Sequence, residues 1–292
     1  MKFKIRDAFL LIRAHQYVKN FFIFVPLFFA GRVTDLDLLA ASLVAFVAFS
    51  FTASAIYILN DYLDIEEDRQ HPVKRERPLA SGSISILSAM IFMGVLFVSG
   101  TALMALLSLE GLALIGVYVC INFAYSFRLK HIALIDITII SVGFILRLFV
   151  GSVVTGVPLS MWIVIITFLL ALFIAFAKRR DDILIYLDTG SKMRKSVDGY
   201  NLQLIDGAMI ITASIVIVTY ILYTVSDEII ARLDNQHLYL TTLFVVLGVL
   251  RYLQIAWVDK KSGSPTKIVL KDTFLKITIL AWLLSFGWII YL

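Results

Sequence analysis

Long apolar runs alternate with short charged segments along the whole chain. A helix needs about 20 apolar residues to cross a bilayer, because the hydrocarbon core is about 30 Å thick and a helix rises about 1.5 Å per residue. Runs of about this length lie at residues 17–31, 36–59, 84–107, 111–127, 132–154, 160–177, 206–226, 238–258 and 273–292. The pattern predicts an all-α, polytopic membrane protein with nine transmembrane helices, and the first run is the shortest.

The composition supports this class of protein. Hydrophobic residues make up 60% of the 292 residues and charged residues 16%, and the mean hydropathy is +0.92. Charged residues form about a quarter of a typical soluble domain. The composition of this chain therefore excludes a soluble globular domain. No Gly/Ser linker, low-complexity tract or shift in composition marks a boundary, which predicts a single transmembrane domain over residues 1–292.

The distribution of lysine and arginine predicts the orientation, because short cytoplasmic loops are enriched in these residues. Here they concentrate in the N-terminus and in alternate loops such as 60–83 and 178–205, whereas the intervening loops hold only Arg32 and Arg232. We therefore expect a multi-pass protein of the plasma (inner) membrane, with the N-terminus and the acidic loops cytoplasmic and the C-terminus outside. The basic balance then reflects topology and contact with the anionic lipid of the bilayer, not nucleic acid.

A group of carboxylates follows directly after the apolar run 38–59. Asp61, Asp64 and Asp68 are spaced i, i+3 and i+7, and Asn60 precedes Asp64 by four residues. On a helix the oxygens of these four side chains would converge on one side. The four residues are here called the acidic stripe. An all-oxygen ligand set favours a hard cation such as Mg²⁺ over zinc, and Mg²⁺ in proteins usually bridges to phosphate.

Basic residues come shortly after the acidic stripe. These are Lys74, Arg75 and Arg77. We expect the helix to end before them, because Pro72 and Pro78 flank this segment and proline breaks helices. Acidic and basic side chains side by side suit a metal-bound diphosphate. Each charge taken alone also fits a solvated cytoplasmic loop.

The acidic stripe and residues 74–82, with the sequence Lys-Arg-Glu-Arg-Pro-Leu-Ala-Ser-Gly, together resemble the first aspartate motif of the UbiA superfamily of intramembrane prenyltransferases. The resemblance implies a nine-helix UbiA-like bundle with cytoplasmic acidic loops. It also implies that the acidic stripe holds Mg²⁺ and a substrate diphosphate, and that Asp61, Asp64 and Asp68 are catalytic.

A second group of polar residues follows the fourth apolar run. Tyr125 and Lys130 resemble a family element that contacts substrate phosphate. Arg147 comes eleven residues after Asp136, about three helical turns later. An ionised side chain within a membrane span is costly, and is usually functional or paired. Two interpretations stay open for Arg147, a substrate contact and a structural pairing that involves Asp136.

A third group follows the sixth run, where Lys178, Arg179 and Arg180 precede Asp181 and Asp182. Most UbiA prenyltransferases carry a second DxxxD motif near this place, and this chain lacks that spacing. The three basic residues are here called the basic triad. They could bind the phosphate of a lipid phosphate through charge-assisted hydrogen bonds. They also satisfy the positive-inside rule.

A fourth group lies near the start, where Gln16, Lys19 and Asn20 are spaced i, i+3 and i+4. With the basic triad, they resemble the decaprenyl-phosphate phosphoribosyltransferase branch of the superfamily, in which Glu is more usual at Asp182. The resemblance implies Mg²⁺-dependent transfer of the 5-phosphoribosyl group from phosphoribosyl diphosphate to a long polyprenyl phosphate, with release of diphosphate. The residues assigned to substrate binding are Gln16, Lys19, Asn20, Lys74, Arg75, Arg77, Tyr125, Lys130, Asp136, Arg147, Lys178, Arg179, Arg180 and Asp182.

Two other functions stay open. One is transfer of a prenyl group from a prenyl diphosphate to an aromatic or other small acceptor, which a second DxxxD motif would have favoured. The other is a transporter, which predicts ionisable residues at mid-membrane in several helices, whereas here they crowd towards one face. A homo-oligomer is compatible with the sequence.

Overall fold

The computed structural model describes residues 5–70, 74–190, 195–259, 263 and 265–291, which form helices and turns without a β-strand. The α-helices are α1 Ile5–Leu11, α2 Val25–Phe29, α3 Leu36–Leu63, α4 Ile65–Gln70, α5 Ile86–Leu107, α6 Leu109–Phe127, α7 Ile135–Thr155, α8 Met161–Thr189, α9 Leu202–Thr224, α10 Asp227–Leu233, α11 Thr242–Trp257, α12 Pro265–Lys271 and α13 Thr273–Tyr291. The 3₁₀ segments are Ala14–Phe24, Lys74–Glu76, Leu129–His131, Lys195–Gly199 and His237–Thr241.

Eight helices in the described part of the chain are long and apolar enough to cross a membrane. They are α3, α5, α6, α7, α8, α9, α11 with the 3₁₀ turn before it, and α13. These eight coincide with the second to ninth apolar runs. The all-α membrane fold predicted from the sequence is therefore confirmed.

The first apolar run differs from the prediction of a regular transmembrane helix. The chain forms a 3₁₀ helix over Ala14–Phe24 and then the short helix α2, whose first turn contains Pro26. Proline has no N–H group, so it is tolerated where a new helix begins. Because a 3₁₀ helix rises about 2.0 Å per residue, the two pieces have a combined helical rise of roughly 30 Å. The count of nine helices is thus approximate.

The chain divides into two compact units. The first unit comprises residues 1–129 and 143–159, and the second comprises residues 130–142 and 160–292. Helix α7 contributes its first residues to the second unit and the rest to the first unit.

In the first unit, α3 packs most extensively against α5 and also contacts α6 and the 3₁₀ segment Ala14–Phe24. Small hydroxyl side chains on α3 hold that segment, because the Tyr17 hydroxyl lies 2.9 Å from Ser54 Oγ and Asn20 Nδ2 donates to Ser50 Oγ at 2.8 Å. Such interhelical hydrogen bonds are favourable where no water competes. They place the segment Ala14–Phe24 beside the C-terminal half of α3.

In the second unit, α8 packs mainly against α9, and α11 packs against α13. The core combines Phe173 and Ala177 of α8 with Met209 of α9 and Ala256 of α11. Helix α8 runs for 29 residues to Thr189 and is capped by Gly190, whose φ of 68° is the left-handed conformation that glycine adopts without strain. This length carries the basic triad on the same rigid helix as the apolar core residues.

Gly151 of α7 gives a test of close packing in the first unit. A Cβ atom at this position would lie 2.0 Å from the carbonyl oxygen of Ile23, which is backbone and cannot rotate away. We expect Gly151→Ala to destabilise the protein by about 1–3 kcal/mol, the usual cost of overpacking. Thermal unfolding in detergent measures this. Gly94→Ala is the matched control, because a Cβ atom there meets nothing within 4 Å; equal melting of both variants would contradict the packing described.

Candidate active site

Two arginines converge on Asp61 in the last turn of α3. Asp61 is buried, and its Oδ1 accepts hydrogen bonds from Nη2 of Arg13 and from Nη1 of Arg77, the latter at 3.0 Å. Charge-assisted hydrogen bonds of this kind are stronger than neutral ones. The carboxylate charge at the end of α3 is therefore compensated from two sides.

Asp68 of α4 lies at the same place. It is buried, and its Oδ2 accepts from the same Nη1 atom of Arg77 at 2.6 Å, while Lys74 Nζ lies 3.8 Å from its Oδ1. Burial raises the pKa of Asp68, and the charge of Arg77 acts in the opposite direction. One guanidinium nitrogen thus joins the two carboxylates that the sequence placed seven residues apart.

The other two members of the acidic stripe pair with each other. Helix α3 ends at Leu63 and Asp64 caps it, so the stripe does not lie on one continuous helix as predicted. Asn60 Nδ2 donates to Asp64 Oδ2 at 3.1 Å. Arg75 is exposed, and Pro72 lies outside the described residues.

The donor set of the acidic stripe fits a hard cation. All of its side chains offer oxygen, the ligand type that hard cations prefer. Nη1 of Arg77 lies within hydrogen-bonding distance of both Asp61 and Asp68. Within the described ranges, no three His, Cys, Asp or Glu side chains form a group that could hold a metal. The type of donor atom thus fits Mg²⁺, whereas the carboxylates are arranged around the guanidinium of Arg77 and not as a three-carboxylate group.

Arg13 is a site residue that the sequence analysis counted only as a topological charge. Its backbone is left-handed at φ 51°, which is uncommon for a residue other than glycine. Its guanidinium carbon lies 5.2 Å from the centre of the Tyr57 ring, a cation–π distance. Its only signal in the sequence was its position three residues before Gln16.

Arg147 is buried within the first unit, and its hydrogen bonds go to neutral acceptors. Its Nε donates to Asn20 Oδ1 at 2.7 Å and its Nη1 to the Gly143 carbonyl at 2.6 Å. The guanidinium also lies over the rings of Phe49, at 4.6 Å, and Tyr118, at 5.3 Å. The structure joins Arg147 with Asn20, two residues that the sequence analysis placed in separate groups.

Three further predicted residues of this part of the chain are partly buried. Gln16 and Lys19 lie on the 3₁₀ segment Ala14–Phe24, and Tyr125 lies on α6. Lys130, also partly buried, lies in the 3₁₀ turn at the start of the second unit. Their contacts with substrate stay predictions.

Asp136 is fully buried at the centre of a network in the second unit. It accepts from Arg179 Nε at 2.7 Å, Ser196 Oγ at 3.1 Å and the Tyr200 hydroxyl at 2.7 Å. Burial, and next the hydrogen bond to Asp136, raise the pKa of Tyr200, so the hydroxyl stays a donor. Asp136 therefore ties α7 to α8 and to the loop before α9.

The two arginines of the basic triad are buried and donate hydrogen bonds to other protein groups. Arg179 also donates from Nη1 to Asp182 at 2.7 Å. Arg180 donates to Asp206 of α9 and to the Ala256 carbonyl of α11, both at 2.7 Å. Lys178 is partly exposed. Of the triad, Lys178 is thus the most exposed member.

Comparison with known proteins identifies the family. Residues 20–278 match the model of the UbiA prenyltransferase family. The chain is 34% identical over 96% of its length to decaprenyl-phosphate phosphoribosyltransferase of Mycolicibacterium smegmatis, covering 91% of that protein. It is 32% identical over 96% of its length to the protein of the same name in Corynebacterium glutamicum, covering 86% of it.

A solved structure shares the fold. A UbiA homologue from Archaeoglobus fulgidus, bound to GPP and Mg²⁺, superimposes with a TM-score of 0.70 at 18% identity, over 98% of this chain and 99% of the other. The family resemblance inferred from the acidic stripe is confirmed, as is an enzyme rather than a transporter. The chain belongs to the UbiA prenyltransferase family and is a transferase of that superfamily, built on the family's bundle of apolar helices.

Proposed function

We propose that the protein transfers the 5-phosphoribosyl group from phosphoribosyl diphosphate to a long polyprenyl phosphate in a Mg²⁺-dependent reaction. The observation that carries this proposal is the match, over nearly the whole chain, to relatives that are named decaprenyl-phosphate phosphoribosyltransferase. The cluster of Asp61, Asp68, Arg77 and Lys74 supports it, because paired acidic and basic side chains suit a metal-bound diphosphate.

The reaction exchanges one bond to the anomeric carbon for another. An oxygen of the lipid phosphate forms a bond to that carbon, and the bond from the carbon to the diphosphate oxygen breaks with its electron pair leaving on diphosphate. The lipid phosphate is already ionised near neutral pH, so no general base is needed. The work of the protein is then positioning and electrostatic stabilisation.

The acidic stripe, Asn60, Asp61, Asp64 and Asp68, would hold Mg²⁺, which when bound neutralises charge on the departing diphosphate. Arg77 and Lys74 lie beside it and would bind the phosphates of the donor, together with the exposed Arg75. Arg77 is suited to this because its planar guanidinium can contact two phosphate oxygens at once.

Lys178 is proposed to bind the phosphate of the acceptor. We expect Lys178→Ala to raise the apparent KM for polyprenyl phosphate about tenfold, the value of one charge-assisted hydrogen bond. The KM for phosphoribosyl diphosphate should change little. Initial rates at varied concentrations of each substrate measure both values. A raised KM for the donor alone would instead assign Lys178 to the donor site.

The proposed location is the plasma membrane, with the N-terminus and the acidic stripe on the cytoplasmic face and the C-terminus outside. This orientation requires the segment Ala14–Phe29 to cross the membrane, because eight spans alone would leave both ends of the chain on one side. The combined helical rise of its two pieces, roughly 30 Å, is compatible with this.

A transfer assay tests the proposed function. Purified protein in detergent is given labelled phosphoribosyl diphosphate and polyprenyl phosphate, with and without Mg²⁺. We expect label in the lipid phase only with Mg²⁺. If folded protein gives no transfer and instead moves a prenyl group from a prenyl diphosphate to an aromatic acceptor, the prenyltransferase alternative is correct.

A further inference from the structure

The arginines at the acidic stripe occupy one oxygen of each buried carboxylate. Oδ1 of Asp61 accepts from both Arg13 and Arg77, and the same Nη1 of Arg77 reaches Oδ2 of Asp68. An ionised carboxylate has about two acceptor positions on each oxygen. Oδ1 of Asp61 is therefore saturated by protein donors, and a cation that binds this oxygen must replace one of them.

Both arginines are more exposed than the carboxylates they contact, so their side chains can move away from Asp61 and Asp68. The side chain of Arg77 is 25% exposed and that of Arg13 is 19% exposed, whereas the Asp61 side chain is 3% exposed. Arg13 also rests on the Tyr57 ring, a contact that does not depend on its hydrogen bond to Asp61. The carboxylates are thus fixed in the interior, and the arginines approach them from the accessible side.

We propose that Arg77, assisted by Arg13, is a built-in counter-ion that holds Asp61 and Asp68 together until a divalent cation takes its place. The freed guanidinium of Arg77 then binds the diphosphate of the donor, and this destination rests on the proposed function. Arg77 is a positioning residue in the first state and a substrate contact in the second.

The exchange has a thermodynamic consequence. In the proposed exchange Arg77 gives up its ion pairs with Asp61 and Asp68 when a metal binds alone, whereas in the presence of the donor its freed guanidinium gains a new partner. Metal and donor are therefore expected to strengthen each other's binding, and by linkage each does so by the same factor. Removal of the Arg77 charge should tighten the binding of metal alone and weaken the binding of the donor.

Electron paramagnetic resonance of Mn²⁺ tests the exchange without any donor. Free and bound Mn²⁺ are measured with the full-length protein in detergent, for the wild type, Arg77→Gln and Arg69→Gln. Arg69 is the matched control, because it lies in the same segment and its contacts are Glu66 Oε1 at 2.7 Å and the Ala80 carbonyl at 3.3 Å. We expect Mn²⁺ to bind about tenfold more tightly to Arg77→Gln, and Arg69→Gln to stay within about twofold of wild type.

An equal increase in both variants would show only a long-range effect of charge and would overturn the exchange, as would unchanged affinity in Arg77→Gln. If Arg77→Gln does not give monodisperse protein, Arg13→Gln replaces it with the same control and the same expectation. A second titration adds phosphoribosyl diphosphate in the presence of Mn²⁺, where Arg77→Gln should bind it more weakly than wild type does. Failure of the wild type to bind this donor would contradict the proposed function, while the donor-free measurement would still decide the exchange.

Discussion

Replacing Asp61 with asparagine is expected to lower kcat/KM for phosphoribosyl transfer by about a hundredfold or more, the size of effect seen when a main electrostatic group of an active site is lost. The variant keeps the size of the side chain and removes its charge. It thereby takes from Arg13 and Arg77 their shared carboxylate, and from the acidic stripe the charge that would hold Mg²⁺. Initial rates of transfer at saturating Mg²⁺ measure the loss.

The matched control for Asp61→Asn is Asp37→Asn. Asp37 lies on the same helix, in its exposed first turn, so the chemical change is identical and the location differs. We expect normal activity in this control and unchanged elution of both variants in gel filtration. Full activity of Asp61→Asn would remove Asp61 from the catalytic site.

The second large effect is on stability, at Asp136. Asp136→Asn leaves the buried guanidinium of Arg179 without its buried counter-charge, and breaking a buried ion pair from one side costs about 3–5 kcal/mol. We expect a marked fall in the thermal unfolding midpoint in detergent. The expected fall is large because Ser196 and Tyr200 also lose the charge to which they donate.

Two companion variants separate charge from hydrogen bonding at Asp136. Tyr200→Phe removes one neutral donor to Asp136 and also the acceptor of the Leu134 N–H, and should cost about 1–3 kcal/mol. Asp182→Asn removes the other carboxylate from Arg179, and because Asp182 is 14% exposed, its loss should cost less than that of Asp136. If Asp136→Asn melts with the wild type, the network contributes no stability, and the substrate-binding role predicted from the sequence becomes the better interpretation.

The sequence was sufficient for most of the fold because membrane spans are long and uniformly apolar. Helices such as α5 and α13 lie within a few residues of their predicted bounds. The first run was predicted less well, because hydropathy cannot distinguish a 3₁₀ helix that restarts at Pro26 from a regular helix. The hydrophobic pattern reports burial in lipid and not the hydrogen-bond register.

The candidate site was predictable where its residues are neighbours in the chain. The spacing predicted one stripe on a continuous helix, but the helix ends before Asp64; Asp61 and Asp68 are joined by Arg77. The ion pair between Arg179 and Asp136 joins residues 43 positions apart, and the pair of Arg147 with Asn20 joins residues 127 apart. These depend on tertiary packing, which residue spacing in one sequence does not encode.

The most direct test of the proposed function is the identity of the lipid product. Mass spectrometry of the lipid phase after reaction of polyprenyl phosphate with phosphoribosyl diphosphate and Mg²⁺ should show the acceptor increased by one phosphoribosyl group. Enzymatic assay of the aqueous phase should show one diphosphate released for each lipid formed. Consumption of phosphoribosyl diphosphate without this lipid, or a product extended by a prenyl group instead, would contradict the proposed reaction.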